Sequence, residues 1–300
     1  MTAPVPSRAL VLGLARSGQA AALALRDRGA AVVAHDVSTR VDAGRLGAAG
    51  VEVHLGTEPD ALLEGIDVVI RSPGIPADAP PLPAARARRV PVWSEIELGA
   101  RLLPNPLVGV TGTNGKTTTT ALLGAMFEAA GRPVEVAGNI GRPLTSLVGA
   151  IEDGAWIVCE LSSFQLEDVE TLRPRIAVLL NLEPDHLDRH GSLDAYRRAK
   201  LRIFARQGPG DVAVVPRGFG PIGGRAERCE FAAVDPLPAE PLLRGAHNRE
   251  NAAAAVAAAR AAGIADGALA RALRSFPGVP HRIGHVERAW GYSFSWPGAG

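Results

Sequence analysis

Val108-Gly109-Val110-Thr111-Gly112-Thr113-Asn114-Gly115-Lys116-Thr117 is the stretch on which the fold turns. Apolar residues 107–110 read as a buried strand, the glycines as a tight turn, and the residues after Lys116 as a helix. That order aims backbone N–H groups and a helix N-terminus at one point, an arrangement suited to phosphate oxygens. In the general phosphate-loop pattern the lysine reaches the terminal phosphates and the next hydroxyl holds Mg2+, which assigns those roles to Lys116 and Thr117. Val110 stands where the pattern has its first glycine, so a glycine-rich turn without a ligand stays open at this point.

Outward from the loop the same alternation repeats. Strands are expected at 107–110, 134–137, 156–161, 176–181 and 211–215, with helices after Lys116, Arg142, Ser192 and Asn248. Upstream, strands at 9–12, 31–35, 51–55 and 67–71 alternate with helical stretches, the first running to about Arg28. Alternation of this kind predicts parallel sheets covered by helices. Leu103-Pro104-Asn105-Pro106 interrupts the series and is the expected boundary between two α/β domains, 1–104 and 105–287. A chain of 300 residues, 47% hydrophobic, is long enough for two cores.

Composition removes several function classes. A net charge of +1 provides no basic field for nucleic acid. The apolar run 9–25 is interrupted by Arg16, Gly18 and Gln19 and has no basic stretch ahead of it, unlike an export signal. The alanine-rich run 251–263 contains Arg260 and is too short to cross a bilayer. Cys159 and Cys229 form neither a metal-ligand spacing nor a disulfide framework. The expectation is a cytoplasmic protein with no membrane span.

Of the 32 basic residues, thirty are Arg and two are Lys, at 116 and 200. Asparagine is confined to positions 105, 114, 139, 181, 248 and 251. A chain so biased is expected to keep these residues where Arg or Asp will not serve. Lys200 sits in a helix otherwise supplied with Arg, and an amine can shift its pKa and react where a guanidinium cannot. A solvated helix lysine is the ordinary alternative.

Other motifs are weaker singly. Gly13-Leu14-Ala15-Arg16-Ser17-Gly18 resembles a dinucleotide fingerprint with Ala15 at its middle glycine, and Asp36 lies where a ribose partner is expected. A sugar nucleotide is as plausible a ligand there as NAD. Glu160 ends a strand ahead of Leu161-Ser162-Ser163-Phe164-Gln165-Leu166, where a carboxylate can ligate Mg2+ or simply begin a helix. His186, in Asn181-Leu182-Glu183-Pro184-Asp185-His186-Leu187-Asp188, is a metal ligand or an ordinary loop residue. Asn248 reads as a helix N-cap, and Asn251 one turn on as an amide able to meet a purine edge. Arg282, in Pro280-His281-Arg282, offers a cation to phosphate.

Taken together these motifs resemble the Mur ligase family. The phosphate loop, Gly138-Asn139-Ile140-Gly141, Glu160 to Leu166, Asp185-His186-Leu187-Asp188, Ala199-Lys200-Leu201-Arg202, His247-Asn248 and Pro280-His281-Arg282 occur in the family's order. Ser162-Ser163-Phe164-Gln165 resembles its D-glutamate-adding branch. The resemblance implies a Rossmann-like N-terminal domain for a UDP-substrate, with Leu14, Ala15, Arg16, Ser17, Asp36 and Ser72 around it. It implies a P-loop-type central domain with a mostly parallel sheet, binding ATP through Gly112, Thr113, Asn114, Gly115, Lys116, Thr117 and Thr118, with Asn248, Asn251 and Arg282. It further implies Mg2+ on Thr117, Glu160, His186 and a carbamylated Lys200, and the muramoyl-alanine end of the substrate on Asn139 and Ser162. Lys116, Lys200 and His186 would be the catalytic residues.

The implied activity is ATP-dependent ligation of D-glutamate to UDP-N-acetylmuramoyl-L-alanine through an acyl phosphate, a step of peptidoglycan and cell-wall synthesis, by a monomer. After Glu287 the chain departs from the family's pattern, and residues 288–300 read as an aberrant tail where a third domain is expected. A truncated chain that binds UDP-substrate and ATP without ligation is therefore a second reading. A GTPase lacks its Asn-Lys-x-Asp sequence here, and a dehydrogenase lacks a nicotinamide partner site.

Overall fold

The computed structural model describes residues 5–57 and 59–279. Arg282 and the expected tail at 288–300 lie outside the described residues. The chain forms two all-parallel sheets, and each strand-to-strand crossover runs over a face that helices or loops cover.

The first sheet holds β1 (Arg8–Leu12), β2 (Ala31–Asp36), β3 (Glu52–Leu55), β4 (Val68–Arg71) and β5 (Val92–Ser94) in the order β3-β2-β1-β4-β5. Side chains on β1 point to alternate faces. Ala9 and Val11 pack with Ala21, Ala22 and Leu25 of α1 (Arg16–Asp27), while Leu10 and Leu12 pack with Leu82 and Ala85 of α3 (Leu82–Ala87). A strand buried on both faces needs a continuous apolar run, which is why Ala9–Leu12 lacks polar alternation. The short helices α2 (Gly44–Ala48) and α4 (Glu95–Leu102) complete this half, α4 being N-capped by Ser94.

The second sheet holds β6 (Leu107–Thr111), β7 (Val134–Gly138), β8 (Trp156–Glu160), β9 (Ile176–Leu179), β10 (Val212–Pro216) and β11 (Glu227–Phe231), in the order β11-β10-β9-β6-β8-β7. One face packs on α5 (Lys116–Ala129), α9 (Ala246–Ala261) and α10 (Asp266–Ser275). Alanines 252–255, 258 and 259 of α9 are buried, and such small side chains let it lie close along α5. The other face covers Leu107, Ile157, Ala177 and Leu179 with Leu161, Leu166, Ile203 and Phe204. Between these lie the short helices α6 (Ser163–Leu166) and α7 (Leu187–His190), then α8 (Leu193–Leu201).

In both sheets the strand order reverses beside a central strand, β1 between β2 and β4, and β6 between β8 and β9. Ligands of open α/β sheets bind at the carboxyl ends of the strands at such a switch point. Here those ends carry the Gly13 turn and the phosphate loop.

Buried charges join the two halves. Arg71, 1% exposed, ends β4 and donates to Glu167 Oε2 (2.8 Å), Asp168 and the carbonyls of Ile75 (2.8 Å) and Phe164 (3.1 Å). Glu97 of α4 is fully buried and accepts from the amides of Glu170 (3.0 Å), Thr171 (2.9 Å) and Leu172 (3.0 Å) and from Arg101 Nε (2.7 Å). A carboxylate with this many donors offsets the cost of its burial.

Some sequence expectations change. The stretch after Arg142 is one 3-10 turn, Leu144–Leu147, because Pro143 and the Val148-Gly149 break leave no room for a longer helix. Strands β5 and β11 and helices α4 and α10 were not expected. β5 is three residues long, and β11 is mostly exposed with charges at Glu227, Arg228 and Glu230, so neither shows an apolar run.

Candidate active site

The phosphate loop connects β6 to α5. Its Gly115 has φ +81°, the left-handed region that favours glycine, and a Cβ placed there would lie 2.2 Å from Asn251 Oδ1. A side chain would therefore fill the cradle between loop and α9. The loop is braced from β9's end: Asn181 accepts from Thr113 N at its carbonyl (3.2 Å) and from Asn114 N at Oδ1 (2.8 Å). Thr113 Oγ1 bonds the Glu183 carbonyl (3.2 Å) and Tyr196 Oη (3.0 Å). Among the described residues nothing accepts from the amides of Gly115, Lys116 and Thr117, the orphan donors of the helix start. Unused amides beside a glycine cradle fit an anion.

Both lysines of the chain meet here. Lys116 Nζ donates to the carbonyls of Gly112 (3.0 Å) and Thr113 (2.7 Å), and Lys200 Nζ donates to the same Gly112 oxygen (2.7 Å). Lys200 is 2% exposed, not the solvated helix lysine that is the ordinary expectation. Burial, helped by the Lys116 charge, pulls its amine down to about 7. Burial also lowers the Lys116 pKa, while Glu160 and Asp185 pull it back up. Lys200 Nζ lies 4.7 Å from the centroid of the Tyr196 ring.

Glu160 ends β8 with its side chain 1% exposed residue-wide, facing the helix start. Thr117 Oγ1 donates to its Oε2 (2.9 Å) and Asn139 Nδ2 to its Oε1 (3.1 Å). Magnesium takes oxygen ligands, keeps several waters and is usually held by one or two carboxylates with substrate phosphates. The Thr117–Glu160 pair beside the phosphate cradle fits such an ion. No group of three or more His, Cys, Asp or Glu stands together at metal-holding distance among the described residues.

The remaining expected residues divide. His186 has φ +49°, uncommon for a residue with a side chain. Its ring lies 3.4 Å from Asp185 Oδ2 and 5.1 Å from the Phe164 centroid, half exposed. Its contacts do not include Thr117, Glu160 or Lys200. Asn251 is buried against Gly115. Asn248 is not the N-cap of α9: the helix begins at Ala246 after Gly245, whose φ of +112° makes the turn, and Asn248 Nδ2 bonds the Arg244 carbonyl (2.8 Å). Ser162 caps α6 in a reciprocal box with Gln165.

At the first sheet, Leu14 N donates to Asp36 Oδ2 (2.7 Å) and Ser72 Oγ to the Gly13 carbonyl (2.7 Å). Ala15 precedes α1 and Ser17 lies in its first turn. A Cβ on Gly18 would lie 1.8 Å from the Gly13 carbonyl, the close packing that the last glycine of the fingerprint permits. Arg16 reaches across to donate to the Gly141 carbonyl (2.7 Å), so the two glycine turns face each other.

Sequence reasoning passed over Asn181, Glu183, Tyr196 and His190 as site residues. Asparagine scarcity singles out Asn181, and Tyr196 is one of two tyrosines, so both carried a compositional signal. Arg71 carried none, since Arg is the ordinary cation of this chain.

Comparison with known proteins agrees with this geometry. A family model described as the Mur ligase MurD-like N-terminal domain matches residues 7–94, and the Mur ligase middle domain matches residues 110–218. Two parallel sheets with a phosphate loop at the second switch point are thus a Mur ligase architecture. The UDP-N-acetylmuramoylalanine--D-glutamate ligase of Anaeromyxobacter dehalogenans is 43% identical over 95% of this chain and 70% of its own length. That of Acidobacterium capsulatum is 40% identical over 96% of this chain and 70% of its own length. The chain belongs to the Mur ligase family and groups with its D-glutamate ligases, spanning about 70% of the length of the curated relatives it matches. The fold also resembles the UDP-N-acetylmuramate:L-alanyl-gamma-D-glutamyl-meso-diaminopimelate ligase from Neisseria meningitides, with a TM-score of 0.62 at 21% identity over 91% of this chain and 99% of that one. It resembles UDP-N-acetylmuramate-alanine ligase from Thermotoga maritima with a TM-score of 0.54 at 23% identity, over 91% of this chain and 69% of that one.

Proposed function

We propose that this chain is an ATP-dependent ligase of peptidoglycan synthesis that joins D-glutamate to UDP-N-acetylmuramoyl-L-alanine. The observation that carries the reading is the convergence of Lys116, Lys200 and the Thr117–Glu160 pair on one glycine cradle. The D-glutamate ligases among its relatives supply the substrate.

In this reading the substrate carboxylate takes the γ-phosphoryl group of ATP, giving an acyl phosphate and ADP. The amine of D-glutamate then attacks the acyl carbon, loses a proton and expels inorganic phosphate. Little covalent work falls to the protein, which positions reactants and offsets charge. Gly112, Thr113, Asn114, Gly115 and Thr118 wrap the phosphates, and Lys116 swings from the loop carbonyls onto the terminal ones. Thr117 and Glu160 would hold Mg2+, which offsets negative charge on the transferring group when bound. Asn251, with Asn248 nearby, faces the nucleotide; Arg282 is assigned there from its motif.

Lys200 is proposed to be carbamylated. With its pKa lowered to about 7, part of its amine is neutral near pH 7, so its lone pair can attack carbon dioxide, forming an N–C bond and releasing a proton. The product is a carboxylate, which would add a ligand to Glu160 where the described residues hold no group of three or more His, Cys, Asp or Glu. His186 would complete the set from its loop. Leu14, Ala15, Arg16, Ser17, Asp36 and Ser72 are assigned to the UDP end of the substrate, and Asn139 and Ser162 to its muramoyl-alanine end. The Arg16–Gly141 bond supports this, since it brings the two ends within reach of one elongated ligand. Division into a UDP-substrate part (1–104) and an ATP part (105–287), magnesium dependence, a monomeric state and a cytoplasmic location belong to the same proposal.

The test is phosphate release by the chain with ATP, Mg2+ and UDP-N-acetylmuramoyl-L-alanine, with and without D-glutamate. The proposal expects release that depends on D-glutamate, with ligated product. Tight binding of both nucleotides without release would establish the second reading, a chain that binds without ligation.

A further inference from the structure

Between the buried Arg71 seam and the phosphate loop lies a cluster that the reaction above does not use. His190, at the end of α7, has 2% of its side chain exposed. Its Nδ1 lies 3.1 Å from Glu167 Oε1 and its Nε2 lies 2.9 Å from Ser163 Oγ. Hydroxyl, imidazole and carboxylate in this order are the layout of an activated nucleophile. Burial decides against that use, because Ser163 is itself 2% exposed and no substrate reaches its oxygen.

The same contacts make a clamp. Glu167 accepts a hydrogen bond from Nδ1–H, which leaves Nε2 to accept from the Ser163 hydroxyl. Burial holds the imidazole below its usual pKa, in keeping with this neutral tautomer. The ring is stacked on Phe164 (centroids 5.1 Å apart, 6° between planes) and meets the Tyr196 ring edge-on (5.2 Å, 67°). Two hydrogen bonds and a stack leave His190 no rotational freedom, so the ring it abuts is located as well. Tyr196 in turn holds Thr113 of the phosphate loop through its hydroxyl and lies under the Lys200 amine. The far end is equally fixed, because Glu167 Oε2 is held by Arg71 at the end of β4.

We propose that His190 is a positioning residue for the phosphate loop: clamped by Glu167, Ser163 and Phe164, it sets the Tyr196 ring at the angle that lets its hydroxyl hold Thr113. This rests on the reading of the loop as the ATP site. Orienting partners beyond the reacting groups matter wherever a site must be held to within a fraction of an ångström.

The experiment uses the full chain with 13C-labelled tyrosine rings. Only Tyr196 and Tyr292 contribute signals, and Tyr196→Phe assigns them. His190→Leu removes both hydrogen bonds and the stack; Ser163→Ala removes one bond and serves as the milder variant should the first fail to fold. The expected result is a shift of the Tyr196 ring signal toward that of unconstrained tyrosine in His190→Leu, and a smaller shift the same way in Ser163→Ala. The KM for ATP should rise about tenfold, while the KM for the UDP-substrate stays within about twofold. An unmoved Tyr196 signal in folded variants overturns the proposal, and so does an equal rise in both KM values, which marks a merely structural role. If the unaltered chain binds no Mg-ATP, the functional reading fails on its own, and the ring signal still decides whether His190 sets Tyr196.

Discussion

Replacing Lys200 with Arg or Met tests the electrostatics of the site most directly. Lys116 and Lys200 both donate to the Gly112 carbonyl, at 3.0 and 2.7 Å, which places the two nitrogens no more than about 5.7 Å apart. With an effective dielectric constant of about 20, two unit charges at that distance repel by about 3 kcal/mol. Burial is the larger cause of the lowered Lys200 pKa, and Glu160 and Asp185 offset part of the total. The folded amine titrates at about 7 and the unfolded one at 10.5, so between these values the unfolded chain binds more protons. Stability from this residue is therefore low at pH 6 and rises with pH from about 7 to about 10.5. Lys200→Met deletes that slope, and subtracting its curve from that of the unaltered chain cancels the parallel contribution of Lys116. Lys200→Arg cannot shed its proton, so at pH 9 it should be less stable than the unaltered chain by about 3 kcal/mol or more. The assay is urea unfolding at pH 6, 7.5 and 9 in buffer free of carbon dioxide. Parallel pH curves for the unaltered chain and Lys200→Met, or an Arg variant as stable as Lys at pH 9, would refute the reasoning.

Glu95 should behave with the opposite sign. Burial lifts its pKa from 4.5 to about 7 despite bonds from Thr145, and one of its carboxylate oxygens has no partner. The folded chain thus binds the extra proton, and stability falls as pH rises from about 4.5 to about 7; Glu95→Gln should flatten this in thermal melts at several pH values. Glu97→Gln should destabilise the chain by about 2–4 kcal/mol in urea titration, since an amide cannot accept from three backbone N–H groups and Arg101 equally well. Gly115→Ala should lose nucleotide binding by at least about tenfold in calorimetric titration, because its Cβ and the positive φ both distort the cradle. Removing Mg2+ with a chelator should abolish phosphate release, and Thr117→Val should raise the Mg2+ concentration needed for half-maximal rate.

Much of the fold was legible because buried parallel strands announce themselves as apolar runs. Residues 9–12, 107–110 and 156–160 have no polar partner face to confuse the pattern. β11 escaped notice for the converse reason: as an edge strand it is largely solvated, and Glu227-Arg228-Cys229-Glu230 reads as a loop. In the site, the expected place of Glu160 at the end of its strand beside the phosphate loop agrees with its Thr117 contact, because strand length and glycine turn fix where a side chain emerges. Asn248 was misread because a glycine at φ +112° caps α9 three residues earlier, a choice that residue propensity does not reveal. The seam was illegible for another reason. Arg71 and Glu167 are 96 residues apart in sequence, and nothing local marks either as a partner.

The meeting of both lysines on one carbonyl has a practical side. The side-chain primary amines of these 300 residues are one pair of nitrogens at a single loop. An amine-selective acylating reagent, which on most proteins paints the whole surface, becomes here a reporter on a single locus. Lys200, partly neutral near pH 7 yet walled in, and Lys116, nearer to solvent, would be told apart by reagent size, and anything that fills the cradle would silence both.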